Sequence, residues 1–179
     1  AGLSFTDFDD LRNPTRGWMY RTELNRREGV SSASSTIQAV DFEVSAAYPL
    51  WGRQVLWAHG RAQNIINPPD SLPVSELFRF GGANSVRGYA EDLFLGTTAA
   101  WFNIEYRYLF EKSSRILTFL DYGYWERPET AEFIHETIWS VGVGIRAATP
   151  VGQLGVDYAL PPDTNWQQGR IHIRWQNYF

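Results

Sequence analysis

Residues 98–110, TAAWFNIEYRYLF, set Phe102, Ile104, Tyr106 and Tyr108 against Asn103, Glu105 and Arg107. A period of two belongs to a β-strand with one apolar and one polar face, and the polar face here carries both signs of charge. Immediately before it runs a glycine-rich segment with one central arginine, ELFRFGGANSVRGYAEDLFLGT, residues 76–97. A connection of this length is either a solvated surface loop or an element folded into a site. The rest of the chain has to decide between the two.

Working outward, the same alternation returns seven times. Residues 17–25 put Trp18, Tyr20, Thr22 and Leu24 opposite Met19, Arg21 and Glu23, and residues 36–48 put Val40, Phe42, Val44, Ala46 and Tyr48 opposite Asp41, Glu43 and Ser45. In residues 53–65, Trp57, His59 and Arg61 share one side and Leu56, Ala58, Gly60 and Ala62 the other; the small apolar side is placed outward. Residues 116–125 oppose Thr118, Leu120, Tyr122 and Tyr124 to Phe119, Asp121 and Gly123. After a loop near 127–134, a strand to about residue 148 opposes Trp139, Val141, Val143 and Ile145 to Ser140, Gly142, Gly144 and Arg146. Residues 153–160 and 169–179 complete the set, the latter opposing Arg170, His172, Arg174 and Gln176 to Ile171, Ile173 and Trp175. The opening 17 residues read as turns, with Asn13-Pro14 and Gly17 leading into the first strand.

Eight strands are therefore expected in one all-β domain spanning residues 1–179. Their connections alternate: 49–52, 111–114 and 149–152 are tight, whereas 26–35, 66–97, 127–134 and 161–168 are longer. Short turns at one end and long loops at the other describe a transmembrane antiparallel β-barrel with both chain ends on the short-turn, periplasmic side. No stretch approaches the roughly 18 to 20 apolar residues a membrane helix needs, but a barrel span needs only about 9 to 11, half of them facing lipid. A mean hydropathy of -0.34 is compatible with that arrangement.

Periodicity cannot by itself say which face is inside, and a soluble ligand-binding barrel would bury the apolar one. Two features favour the membrane. Aromatic residues, which make up 16% of the chain, cluster near strand ends (Trp18, Tyr48, Trp51, Tyr106, Tyr108, Tyr124, Trp125, Trp175, Tyr178 and Phe179 among them), where interfacial girdles lie. The opposite face holds Arg21, Glu23, Asp41, Glu43, Glu105, Arg107, Asp121, Arg146, Asp157, Arg170 and Arg174, too many charges for a dry core and acceptable in a wet lumen.

Other functional classes are poorly supported. The 16 basic residues against 20 acidic ones form no stripe suited to phosphates, so nucleic acid is not an expected partner. The absence of cysteine removes thiolate metal sites and cysteine nucleophiles. His59, His135 and His172 lack metal-ligand spacing, no nucleophile elbow is present, and the Gly81-Gly82 pair lacks the strand–loop–helix setting of a phosphate cradle. No catalytic residue, metal or cofactor is expected, and no signal peptide precedes Ala1.

Several motifs then combine. Phe80-Gly81-Gly82 and Ser85-Val86-Arg87-Gly88-Tyr89 in the loop are followed by Glu105 and Arg107, by Phe119-Leu120-Asp121-Tyr122-Gly123, by Gly142-Val143-Gly144-Ile145-Arg146 and by a terminal strand ending in Phe179. Asn13-Pro14-Thr15-Arg16-Gly17 leads into the first strand in the same order. This ordered set resembles the C-terminal barrel half of the BamA-type superfamily of outer-membrane assembly and translocation proteins, also called the bacterial surface antigen family, over nearly the whole chain.

The resemblance implies that the loop 66–97 folds back into the barrel, with Arg87 pairing Asp121 and Glu105, and with Gly81, Gly82, Gly88, Tyr89 and Gly123 shaping the contact. Arg107, Gly142, Gly144 and Arg146 would face the lumen. It also implies insertion or translocation of unfolded outer-membrane or secreted proteins across a lipid bilayer, with a gate at the edge strands 17–25 and 169–179. A small structural or channel-like barrel is the alternative. Full members have sixteen strands and usually periplasmic POTRA domains, so this chain corresponds to half a barrel without such a domain. Completion by a missing N-terminal half or by a second copy, or closure as a small eight-stranded barrel, all remain open. An eight-stranded interior is just filled by side chains and leaves no room for a loop of some thirty residues. Asn177 also departs from the apolar residue that a terminal targeting signal usually carries.

Overall fold

The computed structural model describes residues 1–28, 36–68, 72–129 and 132–177. Eleven strands follow one another: β1 (Gly2–Thr6), β2 (Gly17–Glu28), β3 (Thr36–Pro49), β4 (Gln54–Ile66), β5 (Phe78–Phe80), β6 (Phe94–Gly96), β7 (Thr98–Leu109), β8 (Arg115–Glu129), β9 (Glu132–Thr149), β10 (Gly152–Leu160) and β11 (Arg170–Asn177). Helical structure among the described residues is limited to 3-10 turns at Val74–Glu76 and Trp166–Gln168. Nine strands form one antiparallel meander in the order β1-β2-β3-β4-β7-β8-β9-β10-β11, and β5 pairs β6 in a small hairpin within the long loop.

The eight strands expected from alternation are all present, and three expectations are corrected. The opening segment is not only turns: Gly2–Thr6 pairs with β2 from Gly2↔Glu23 to Thr6↔Met19, so β1 and not the strand beginning at Gly17 is the N-terminal edge. Its pairing partner lies across the Asp7–Arg16 connection, a long-range choice that local turn residues conceal. Second, in the expected loop near 127–134, residues 127–129 and 132–134 are strand: β8 and β9 stay paired out to Pro128↔Phe133 and Glu129↔Glu132, beyond the last β7 partner at Thr98↔Glu126. Past that point β8 faces no β7 strand, and proline is tolerated in a strand where its missing N–H has no ladder to serve. Third, Asn177 pairs with Gly152 at the short-turn end, but Ala1 sits beside Leu24, partway along β2. Tyr178, Phe179 and residues 29–35 lie outside the described residues.

Which face is inside follows from exposure. Along β7, Trp101, Asn103, Glu105 and Arg107 are buried, whereas Phe102, Ile104, Tyr106 and Tyr108 are exposed, Tyr106 to 41%. The same inversion recurs on β8 to β11, where Leu120, Tyr122, Val141, Val143, Ile145, Ile171, Ile173 and Trp175 are open to the surroundings and Asp121, Ser140, Asp157 and His172 are not. On β4, Leu56 faces out while Trp57 and His59 line an interior cavity, as expected. A soluble monomer rarely exposes a contiguous apolar patch above a few hundred Å². An apolar band across nine strands suits lipid, and the soluble-barrel reading fails.

The sheet curls around its polar face: side chains from β2 (Met19), β4 (Trp57), β8 (Arg115) and β11 (Arg174) line one cavity of about 730 Å³. It is not closed among the described residues, since β1 and β11 are its two edges and do not pair. The small closed eight-stranded barrel is thus not what the chain forms here. The anticipated conflict between a narrow barrel and a docked loop disappears in an open, curled sheet.

Candidate functional site

The loop between β4 and β7 packs on the polar face and is buried from Gly81 to Gly88 except at Asn84. Gly81 and Gly82 adopt positive φ (115° and 90°), and the turn is closed by Gly82 N–H donating to the Val86 carbonyl at 3.0 Å and Gly81 N–H donating to Ser85 Oγ at 2.7 Å. This folds Phe80 onto Trp101, the rings stacked at 5.7 Å, beside Val86, Ala99 and Ile138. Tyr89 packs edge-on against Phe94 at 5.2 Å and donates its hydroxyl to the Trp139 carbonyl at 3.2 Å.

Arg87, 3% exposed, is held on three sides. Its Nε and Nη2 donate to the two oxygens of Asp121, both at 2.7 Å, its Nη1 donates to Glu105 at 2.8 Å, and its backbone N–H also reaches Asp121 at 3.0 Å. The guanidinium plane lies 3.4 Å over the Phe119 ring centre. A planar fork matched to a carboxylate fixes orientation as well as position. Burial opposes the charge on Arg87, but the hydrogen bonds to Asp121 and the charges of Glu105, Asp121 and Asp157 outweigh it and raise its pKa above the ordinary value. The contact therefore persists as an ion pair.

The wall is shaped to receive this loop. A side chain at Gly123 would place its Cβ 2.9 Å from Val86 and 3.0 Å from Phe80 and Ile138, so the missing side chain there is the loop's seat. Gly142 stands opposite Phe119 and Gly144 opposite Asp157 in the ladder, leaving space for the ring under Arg87 and for that buried carboxylate. At Gly88, φ is 92° and a Cβ would come within 3.0 Å of Pro161. Arg107 donates to Glu105 at 2.7 Å and lies 4.2 Å over Trp57, and Arg146 grips Asp157 at 2.7 and 2.8 Å.

All the residues expected to form the loop contact are thus brought together. Five further contributors were not expected. Asn103 donates to the Ser85 carbonyl at 2.6 Å, Arg174 to the Ala83 carbonyl at 2.9 Å, and Gly88 N–H donates to His172 Nε2 at 2.9 Å. Phe119 supports the guanidinium, and Asp157 lies 3.8 Å from it. Their polar-face positions on β7, β8, β10 and β11 are visible in the alternation, but which loop atom each meets is a long-range matter. Among the described residues no three His, Cys, Asp or Glu side chains converge as metal ligands. The arrangement can hold a loop against a wall.

Comparison with known proteins agrees with this geometry. Residues 1–177 match the Omp85 superfamily domain. The outer membrane protein assembly factor BamA of Nitratidesulfovibrio vulgaris (strain Hildenborough) is 28% identical over 173 residues, which cover 87% of this chain and 22% of that protein. The chain thus spans about a fifth of the relative it matches. With an apolar outer face, a polar inner wall and a glycine-framed arginine locked to that wall, and with the match running almost end to end, this chain belongs to the Omp85 superfamily of outer-membrane β-barrel proteins.

Proposed function

We propose that this chain is barrel wall of an outer-membrane protein that aids insertion or translocation of other proteins, and that the Arg87 contact sets the position of its inward loop. The observation that carries this reading is the buried Arg87–Asp121–Glu105 cluster, three charged groups withdrawn from water and bound to one another. Burying charges is costly, and such a cluster is best explained by a need for one defined loop position. The matched relative is named as an assembly factor, which supports the same class of work here.

The lipid bilayer is the proposed surrounding of the apolar face, unfolded outer-membrane or secreted proteins the proposed substrates. Strands β2 to β4 and β7 to β9, of 12 to 18 residues, exceed the roughly 9 to 11 that a tilted span needs. In lipid the free edges of β1 and β11 must be satisfied, since each unpaired backbone group costs several kcal/mol there. Completion by further strands, from another part of the protein or from a second copy, meets that requirement and makes these two edges the site where the wall opens. The short-turn end, to which β11 returns, is taken as periplasmic.

The test is reconstitution of the chain, completed as it occurs in its native assembly, into liposomes with an unfolded barrel substrate. Faster substrate insertion than in empty liposomes, reduced in Arg87→Ala, is the expected result. Equal rates with and without the protein would refute the insertion role and leave a structural or channel-like barrel.

A further inference from the structure

Arg87 does not account for all the buried positive charge. On the short-turn side of the lock, β11, β10, β9 and β8 place Arg174, Gly155, Arg146 and Arg115 in one cross-strand row, Arg174 and Arg146 each opposite Gly155, and Arg146 directly opposite Arg115. Arg107 on β7 is the diagonal neighbour of Arg115, since Leu109 is paired with Arg115 and Arg107 with Leu117. Directly opposed residues have Cβ atoms about 5 Å apart, where like charges repel.

The protein neutralises only part of this row. Asp157 binds Arg146 and Arg174, and Glu105 binds Arg107. Arg115 is 7% exposed and hydrogen-bonds the neutral Asn13, whose Oδ1 accepts from Nη1. Among the described residues, two guanidinium nitrogens of this group remain buried without a partner: Nε of Arg115 and Nη1 of Arg107, itself 4% exposed. Both side chains line the 730 Å³ cavity with Arg87, Arg146 and Arg174, against the carboxylates of Glu43 and Glu105. Asp121 and Asp157 stand buried in the same wall, and positive charge still exceeds negative in a chain whose net charge is -4. Buried donors are nearly always satisfied, and guanidinium donors match oxyanions in particular.

We propose that Arg107 and Arg115 form an oxyanion site in the cavity, taking a phosphate group, either free or as a phosphomonoester lipid headgroup. The anion would accept the two orphaned N–H groups and separate Arg115 from Arg146. This site adjoins the Arg87 lock through Glu105, which Arg87 and Arg107 share, and does not depend on insertion activity.

Titration calorimetry on the full chain in phosphate-free, zwitterionic detergent tests it, with inorganic phosphate and dihexanoyl phosphatidic acid as probes and dihexanoyl phosphatidylcholine as control. Saturable phosphate binding, at least tenfold weaker in Arg115→Gln and less weakened in Arg115→Lys, is the expected result. Binding of phosphatidic acid alone, with the same dependence on Arg115, keeps the site and assigns its occupant to the headgroup. No binding of either probe by the unaltered chain, or equal binding by Arg115→Gln, overturns the proposal.

Discussion

Replacing Arg87 by alanine is the most direct perturbation of the lock. It removes three charge-assisted hydrogen bonds and the stacking over Phe119, and leaves Asp121, fully buried, with the backbone N–H of residue 87. Glu105 fares better, because Arg107 still grips it at 2.7 Å. Removing one partner of a buried pair costs about 3–5 kcal/mol, and the surviving Glu105–Arg107 pair places this case near the lower value, about 3 kcal/mol. At 1.36 kcal/mol per tenfold, the undocked loop should become about a hundredfold more populated. The strand ladders do not run through Arg87, so the loss should be confined to the loop. Hydrogen exchange followed by mass spectrometry in detergent should show residues 80–89 losing protection while β7 and β8 keep theirs. Lysine at this position, a point charge without the fork, should fall between. Unchanged protection of the loop in a folded Arg87→Ala protein would refute the reasoning.

Three other outcomes are expected. Gly123→Val would press a branched side chain against Val86, Phe80 and Ile138, and overpacking of about 1–3 kcal/mol should unseat the loop, seen as faster proteolysis within residues 76–97. His172→Ala would leave the Gly88 N–H without its acceptor at a cost of about 1–3 kcal/mol, so amide exchange at Gly88 and Tyr89 should accelerate while the bonds of Arg87 remain. In the β1–β2 connection, burial raises the Asp9 carboxyl, but hydrogen bonds from the Thr15 hydroxyl and from the N–H groups of Thr15, Arg16 and Asp10 outweigh it and hold the pKa below its ordinary 3.8. A depressed carboxyl contributes stability above its unfolded pKa and loses it as the pH falls through the folded one. Exchange at Thr15 and Arg16 should therefore rise with acidification below 3.8 beyond the intrinsic trend, and this extra rise should be absent in Asp9→Asn.

Much of the wall was legible in the chain itself. On β7, β8 and β10 the alternation is so regular that Glu105, Arg107, Asp121 and Asp157 could be placed on one face without coordinates. The motif around Arg87 then supplied a counter-charge. Where local signals misled, a competing physical cause was present: Asp, Asn and Pro residues after Thr6 hid β1, which is held by its ladder to β2 and by Phe5 packing on Trp18 and Tyr20, and Arg127-Pro128 resembled a loop although the β8–β9 ribbon carries on past its neighbours. His172 and Asn103 were visible as polar-face residues, but their roles depend on loop atoms far off in the chain, Gly88 lying 84 residues before His172 and Ser85 lying 18 residues before Asn103.

Sequence by itself thus determined eight of the nine wall strands, the division of their two faces and the buried charges Glu105, Arg107, Asp121, Arg146 and Asp157, because a two-residue period is a local property of the chain. Only the tertiary structure decided which face is inside, that β1 and β11 are the free edges, and that Arg115 and Arg107 stand in a row short of negative charge. Those facts depend on register and curvature, which arise from pairing residues far apart in the chain and leave no mark on any one stretch of it.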